Sequence, residues 1–176
     1  MKTTVYIGTS LDGFIARKDG DINWLVKYES EEVHQSYAKF IGGIDAIVIG
    51  RRTFEKVLTY PSWPYEKKVF VLSTSLRQIP ETLQEKMTIL SMKPKELLKH
   101  LRRQGFSNLY IDGGKVIQGF LKEDCIDEMI ITIVPELIGS GIRLFSDVEN
   151  DLQFAQVRTN VFSNGLVQSH YQRKRN

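Results

Sequence analysis

The sequence predicts an α/β fold: a mixed, mostly parallel sheet with helices on both faces and a C-terminal antiparallel hairpin. Three observations carry this. The runs DAIVIG (45–50) and KKVFVLS (67–73) are continuously apolar rather than alternating, which suits parallel strands covered on both sides. Strand-like and helix-like patterns then take turns along most of the chain, the signature of β-α repeats. Finally, two β-rich runs, 153–162 and 166–173, flank Ser163-Asn164-Gly165, and Asn-Gly between such runs signals a hairpin.

Taken in order, residues 3–9 (TTVYIGT) are β-branched and aromatic and predict a first strand. A loop with glycines at 13 and 20 follows. Residues 30–41 place Val33, Tyr37, Phe40 and Ile41 at helical spacing, with Ser30 as N-cap and acidic residues in the first turn. Gly42-Gly43 closes that helix. After strand 45–50, Arg52–Leu58 predicts a short helix, and after strand 67–73 a short strand is expected at 87–90. Pro94–Gln104 forms a helix stopped by Gly105, ahead of a strand at 108–111. A helix near 115–122 and a long strand from Asp127 to about Val134 precede the hairpin.

Bulk properties narrow the function. The chain has 176 residues, a length that suits one domain spanning 1–176, with 41% hydrophobic and 26% charged residues. A net charge of +3 is too small to indicate a nucleic-acid partner. Arg173, Lys174 and Arg175 read as a frayed tail. Cys125 is the one cysteine, so no disulfide framework and no cysteine-based metal site is expected. The polar start MKTTVYIGTS does not resemble a signal peptide, and no run approaches the ~20 apolar residues of a membrane span. The expectation is a soluble cytoplasmic protein with no membrane partner.

Ligands of open α/β sheets bind beyond the carboxyl ends of strands, where loops diverge. The loops there, Ser10–Asp21, Gly50–Glu55, Ser73–Leu76 and Asp112–Lys115, combine glycines, hydroxyls and cations, the inventory for holding phosphates. The double glycine in LYIDGGKVIQGFL (109–121) raises the sharpest question. Two glycines between a strand and a helix N-terminus suit either a tight connection or a ligand lying against bare backbone. No G-x-G-x-x-G follows a first strand, so a standard dinucleotide-binding domain is disfavoured.

Together these segments resemble the dihydrofolate reductase superfamily over nearly the whole chain. GRRTFE (50–55) looks like its G-R-x-T-[WF]-E segment, VLSTS (71–75) its second phosphate-binding strand end, and IDGG (111–114) its Gly-Gly turn, which there often carries a cis peptide. SLDGFIA (10–16) and PELIGSGIRLF (135–145) are more similar to the reductase domain of bifunctional riboflavin-biosynthesis deaminase-reductases. The resemblance implies NADPH as cofactor. Gly50, Arg51 and Thr53 would hold its phosphates, with Gly113, Gly114 and Lys115 on the other side. Ser73 and Thr74 would reach the 2′-phosphate, and Gly8 and Ile15 match positions whose backbone holds the nicotinamide carboxamide. Arg52 reads as a solvated charge.

Two carboxylates are candidate catalytic groups. Asp12, directly after strand one, is either a turn residue beside Gly13 or, with Ser10, an anchor for a polar heterocycle. Glu29 stands five residues after Trp24, the spacing of the substrate carboxylate in dihydrofolate reductases, yet it also belongs to the acidic helix start ESEE. Lys67 stands where folate enzymes use an arginine, and lysine lacks the bidentate fork. His34, His100 and His170 fall outside the motif loops. The expectation is therefore an NADPH-dependent reductase resembling 5-amino-6-(5-phosphoribosylamino)uracil reductase, acting on a small heterocyclic substrate. The usual deaminase domain does not precede Met1, which implies a stand-alone reductase or a relative with another substrate. Dihydrofolate reductase proper and a nucleotide-binding protein without turnover are the alternatives. The riboflavin reductases pair as homodimers, and the apolar hairpin is compatible with that.

Overall fold

The computed structural model describes residues 1–175. Strand β1 (Lys2–Ser10) leads through a short strand β2 (Phe14–Ala16) and a single helical turn α1 (Asn23–Val26) into α2 (Glu31–Gly42). Then come β3 (Ala46–Gly50), α3 (Arg51–Val57), β4 (Lys68–Leu72), β5 (Met87–Leu90) and α4 (Pro94–Arg103). The chain continues through β6 (Asn108–Ile111), α5 (Gly114–Lys122), β7 (Glu128–Val134), β8 (Ile142–Arg143), β9 (Phe154–Val161) and β10 (Val167–Arg173).

Eight strands form one sheet in the order β5-β4-β3-β6-β1-β7-β10-β9. Every pair from β5 to β7 is parallel; β10 pairs antiparallel with both β7 and β9. The fold class expected from sequence is the one observed. The continuous runs lie in the middle of the sheet: Ala46, Ile47, Val48 and Ile49 have no exposed surface.

Alternation along these strands divides the interior into two layers. On one face, Leu97 and Leu101 of α4 and Val116, Ile117, Phe120 and Leu121 of α5 cover Val5, Val48, Leu109 and Ile111. On the other, Phe40 and Ile41 of α2 and Phe54 of α3 cover Ile47, Ile49, Val69 and Tyr110. The helix faces follow from sequence spacing, and the Ser30 hydroxyl accepts the Val33 N–H as the α2 cap.

Three elements escape sequence patterning. β2 and β8 pair antiparallel as a separate two-stranded flap, with Phe14 opposite Arg143. α1 is four residues long and presents Trp24 to a small core with Val134 and Leu166. The Gly113–Gly114 peptide is trans: no cis peptide occurs among the described residues. The turn is accommodated by Gly113 itself, at φ 89° and ψ 130°.

No helix among the described residues is long and apolar enough to cross a membrane. Phe120, fully buried at the centre of the α5 layer, tests this packing. Phe120→Ala is expected to lower stability by about 3–5 kcal/mol in denaturant unfolding. A loss under about 1 kcal/mol would show that the α5 layer is not a close-packed core.

A candidate cofactor and substrate site at the strand ends

Strands β3 and β6 are parallel neighbours, with Val48 opposite Ile111, so their carboxyl ends emerge side by side. The N–H of Asp112 extends the pairing by one bond to Val48 O at 2.9 Å. Each strand runs directly into a helix, α3 after Gly50 and α5 after Gly113. Between β1 and β3 the chain order reverses, since β6 is inserted there later. That is the switch point at which open sheets leave a crevice.

The double glycine is explained by this convergence. A Cβ on residue 113 would lie 2.5 Å from Thr53 Oγ1 and 3.7 Å from the Gly50 N, so Gly113 presents bare backbone beside the Thr53 hydroxyl. Its φ of 89° is a second reason for glycine. Gly114 has a different role. It is buried, and a Cβ there would sit 3.0 Å from Ile142 Cγ2 and 3.1 Å from Ile15 Cδ1. The flap closes onto it. Thus Gly50, Thr53, Gly113, Gly114 and Ile15 are brought together, and Lys115 stands exposed in the first turn of α5.

The other expected cofactor residues are placed more loosely. Arg51 is exposed and donates to Glu55 Oε1 at 2.7 Å, one turn along α3. Ser73 Oγ accepts the N–H of Ser75 at 3.1 Å and of Leu76 at 2.9 Å, closing a turn at the end of β4, while Thr74 is exposed. At Gly8 a Cβ would meet Leu25 Cδ2 at 2.9 Å, so the absent side chain there makes room for α1.

The two candidate carboxylates separate. Asp12 accepts from the Ser10 hydroxyl at 2.6 Å and from the N–H groups of Gly139 at 2.8 Å and Ile138 at 3.3 Å. The Ser10 hydrogen bond, aided by these backbone donors, lowers its pKa. Its visible work is to clamp the loop after β1 to the loop before β8. Glu29 is more than half exposed and faces His34 at 3.8 Å. Trp24, at the spacing that drew attention to Glu29, is a core residue, 4% exposed.

Sequence reading passed over the third carboxylate, Asp112, by treating IDGG as a pair of glycines. Two residues after Tyr110, Asp112 shares that residue's face of the sheet. Its Oδ1 accepts the Gly113 N–H at 2.7 Å, and it makes no ion pair among the described residues. Although residue 112 keeps some accessible surface, its carboxyl is packed round by protein. Desolvation raises its pKa to about 6, against the lowering effect of the Gly113 N–H. The titratable groups that feel its charge are phenols: Tyr37 of α2, Tyr65 of the connection between α3 and β4, and Tyr110 of β6. Desolvation first, and the Asp112 charge second, push Tyr37 up to about 12 and raise Tyr65 and Tyr110 well above the ordinary phenol value. An acidic residue just past an apolar strand was the available signal. A concavity of about 440 Å³ lies on the opposite sheet face against Met129, Ile131, Ile133 and Tyr171.

Residues 2–168 match the family model described as the RibD C-terminal domain. The chain is 39% identical to the uncharacterized protein YwjB of Bacillus subtilis (strain 168), over 98% of each chain. A crystal structure of a putative riboflavin biosynthesis protein from Shewanella sp. PV-4 superposes with a TM-score of 0.94 at 41% identity, covering 99% of this chain and 100% of that one. A deaminase/5-amino-6-(5-phosphoribosylamino)uracil reductase from Thermotoga maritima shares the fold, with a TM-score of 0.77 at 17% identity. There the match covers 98% of this chain and 56% of the longer one.

Asp112 provides a stability test. Its folded pKa, about 6, lies above the ordinary 3.8, so between those values the folded chain holds a proton that the unfolded chain has released. Its contribution therefore favours folding at low pH and is lost as pH rises through about 6. Relative to Asp112→Asn, the wild type should be destabilised by up to about 3 kcal/mol on going from about pH 4 to about pH 7. Parallel denaturant curves for the two proteins at both pH values would contradict the assignment.

Proposed function

The chain belongs to the family of the RibD C-terminal domain, the reductase domain of riboflavin biosynthesis, and on that premise we propose that residues 1–176 act as one NADPH-dependent reductase resembling 5-amino-6-(5-phosphoribosylamino)uracil reductase. The observation that carries the reading is the bare backbone of Gly113 against Thr53, where a Cβ would collide with the Thr53 hydroxyl at 2.5 Å at the meeting of two strand ends. Such a cradle fits a dinucleotide pyrophosphate, because amide N–H groups and a hydroxyl converge without side-chain obstruction.

In this reading the N–H groups at the start of α5 and the Thr53 hydroxyl donate to the pyrophosphate. Gly50 lets it approach, and Lys115 adds charge from the rim. Arg51 exchanges Glu55 for a phosphate oxygen, and Thr74 with Ser73 reaches the 2′-phosphate. Gly8 of β1 and Ile15 of the flap strand β2 would flank the nicotinamide end. NADPH, when bound, supplies a hydride. The remaining work is positioning, water exclusion and a proton source. Asp112, which holds its proton close to neutrality, suits the last of these better than Glu29 in its exposed position. Asp12 fixes the flap that covers the site. The substrate is a small heterocycle, the setting is cytoplasmic, and a second copy pairing across the uncovered sheet face near Ile131 and Tyr171 makes a homodimer.

NADPH should bind more tightly than NADH by about tenfold to a hundredfold, the effect of losing one charge-assisted hydrogen bond. Equal affinities by titration would remove the 2′-phosphate assignment. Turnover is tested by following NADPH oxidation with 5-amino-6-(5-phosphoribosylamino)uracil and with dihydrofolate side by side. Oxidation with the pyrimidine phosphate is expected. Oxidation with dihydrofolate alone would make the chain a dihydrofolate reductase, and binding without oxidation of either would reduce it to a nucleotide-binding protein.

A further inference from the structure

Helix α2 packs on the sheet, yet none of its residues is fully buried. Much of its contact is made through rings. Tyr6 of β1 stacks on Phe40 with centroids 4.7 Å apart and meets Tyr37 edge-on at 5.6 Å, while Phe40 meets Tyr110 edge-on at 5.1 Å. Apolar burial is non-directional, so alone it would let a helix slide or turn over its bed. The placement of this helix matters to the site. Phe40 covers Tyr110, and Asp112 follows two residues later on the same face of the sheet.

A polar group in the same layer supplies the missing direction. Gln168 of β10 and Thr132 of β7 are buried opposite each other, and Thr132 lies in turn opposite Gly8 of β1. Gln168 Nε2 donates to Thr132 Oγ1 and to the Tyr6 hydroxyl, each at 3.0 Å. The Tyr6 hydroxyl donates to Ser36 Oγ of α2 at 3.1 Å, and that hydroxyl donates to Gln168 Oε1 at 3.0 Å. Tyr6, Ser36 and Gln168 thus close a ring of three hydrogen bonds in which each residue both donates and accepts. A buried amide costs free energy unless it is paired, and here both N–H groups and the carbonyl are occupied. Moving α2 by one residue would carry Ser36 out of the ring and leave buried polar groups unpaired.

We propose that Gln168 is a positioning residue: through Tyr6 and Ser36 it fixes the register of α2, and α2 so fixed keeps Phe40 and Tyr37 over the end of β6 where Asp112 lies. A polar residue in an otherwise apolar helix seam sets the register of coiled coils by the same means. The inference rests on the reductase reading only for what Asp112 does, as the proton source. Its physical consequence is desolvation. The titratable groups that feel the Asp112 charge are phenols on three elements: Tyr37 of α2, Tyr65 of the α3–β4 connection and Tyr110 of β6. Burial among them, rather than a charged neighbour, raises the Asp112 carboxyl to about 6. With α2 out of register water reaches that carboxyl, and its midpoint falls towards the ordinary 3.8.

The test follows the Asp112 carboxyl of the whole chain by carbon-13 NMR as pH is varied, with Asp112→Asn identifying its signal. Gln168→Met keeps the volume and removes the amide from the ring, and the Asp112 midpoint should then fall by roughly one pH unit or more. Ser36→Ala places a strong helix former at a half-buried position, so it should fold and shift the midpoint the same way. Thr132→Val removes the bond outside the ring and should leave the midpoint where it is. NADPH oxidation with the pyrimidine phosphate gives a second readout. Turnover that needs protonated Asp112 falls as pH rises through its midpoint, so in Gln168→Met that fall should come at correspondingly lower pH. If Gln168→Met does not fold, Ser36→Ala alone decides. An unshifted midpoint in whichever of these two variants folds, or an equal shift in Thr132→Val, would overturn the proposal. Absence of NADPH oxidation by the wild type, with the midpoint shifts present, would instead count against the reductase reading and support the positioning role of Gln168.

Discussion

The approach of Thr53 to the bare backbone of Gly113 is the constraint on which the rest of the site depends. It exists because two parallel strands, β3 and β6, end in register and each passes straight into a helix. Parallel pairing forces every connection to cross over the sheet, so the helices must pack on its faces. With the faces of β3 and β6 covered by Phe120, Leu101, Phe54 and their neighbours, the ends of these strands are where their polar backbone is offered. At residue 113 a side chain would meet the Thr53 hydroxyl at 2.5 Å. The fold and the cradle are therefore two consequences of a single arrangement.

The flap adds a second level of organisation. Ile15 and Ile142 close over Gly114, and Asp12 ties the two loops that deliver them through backbone N–H bonds to residues 138 and 139. A carboxylate that already accepts from Ser10 and two amides is held ionised and committed to geometry. Asp112 is the opposite case. It sits among phenols with one weak compensation, which leaves it close to a proton at neutral pH. Two aspartates near one site are thus sorted by environment into a structural clamp and a titrating group.

Much of this was legible in the sequence, for identifiable reasons. AIVIG and VFVLS announced central parallel strands because burial on both faces leaves no room for alternation. The hairpin was readable from Ser163-Asn164-Gly165, whose turn residues act locally, with Gly165 at φ 87°. What stayed hidden depends on partners distant in sequence. The β2–β8 pair joins Phe14 to Arg143, and neither segment has the length or pattern of a strand alone. The clamp at Asp12 needs amides more than a hundred residues away, so its local appearance is that of a turn. Asp112 was overlooked because its importance comes from Tyr37 and Tyr65, which α2 and the α3–β4 connection bring to it. Glu29 shows the converse: a suggestive spacing from Trp24, with the side chain turned to His34 and solvent.

Hydrogen–deuterium exchange of the whole chain with and without saturating NADPH tests the central claim most directly, because it reports which backbone the cofactor covers. Slowed exchange is expected mainly at residues 50–57 and 112–118, the two strand–helix junctions that meet at Thr53 and Gly113. Unchanged exchange at both junctions, with protection appearing instead around residues 129–133 and 167–171 on the opposite sheet face, would contradict it.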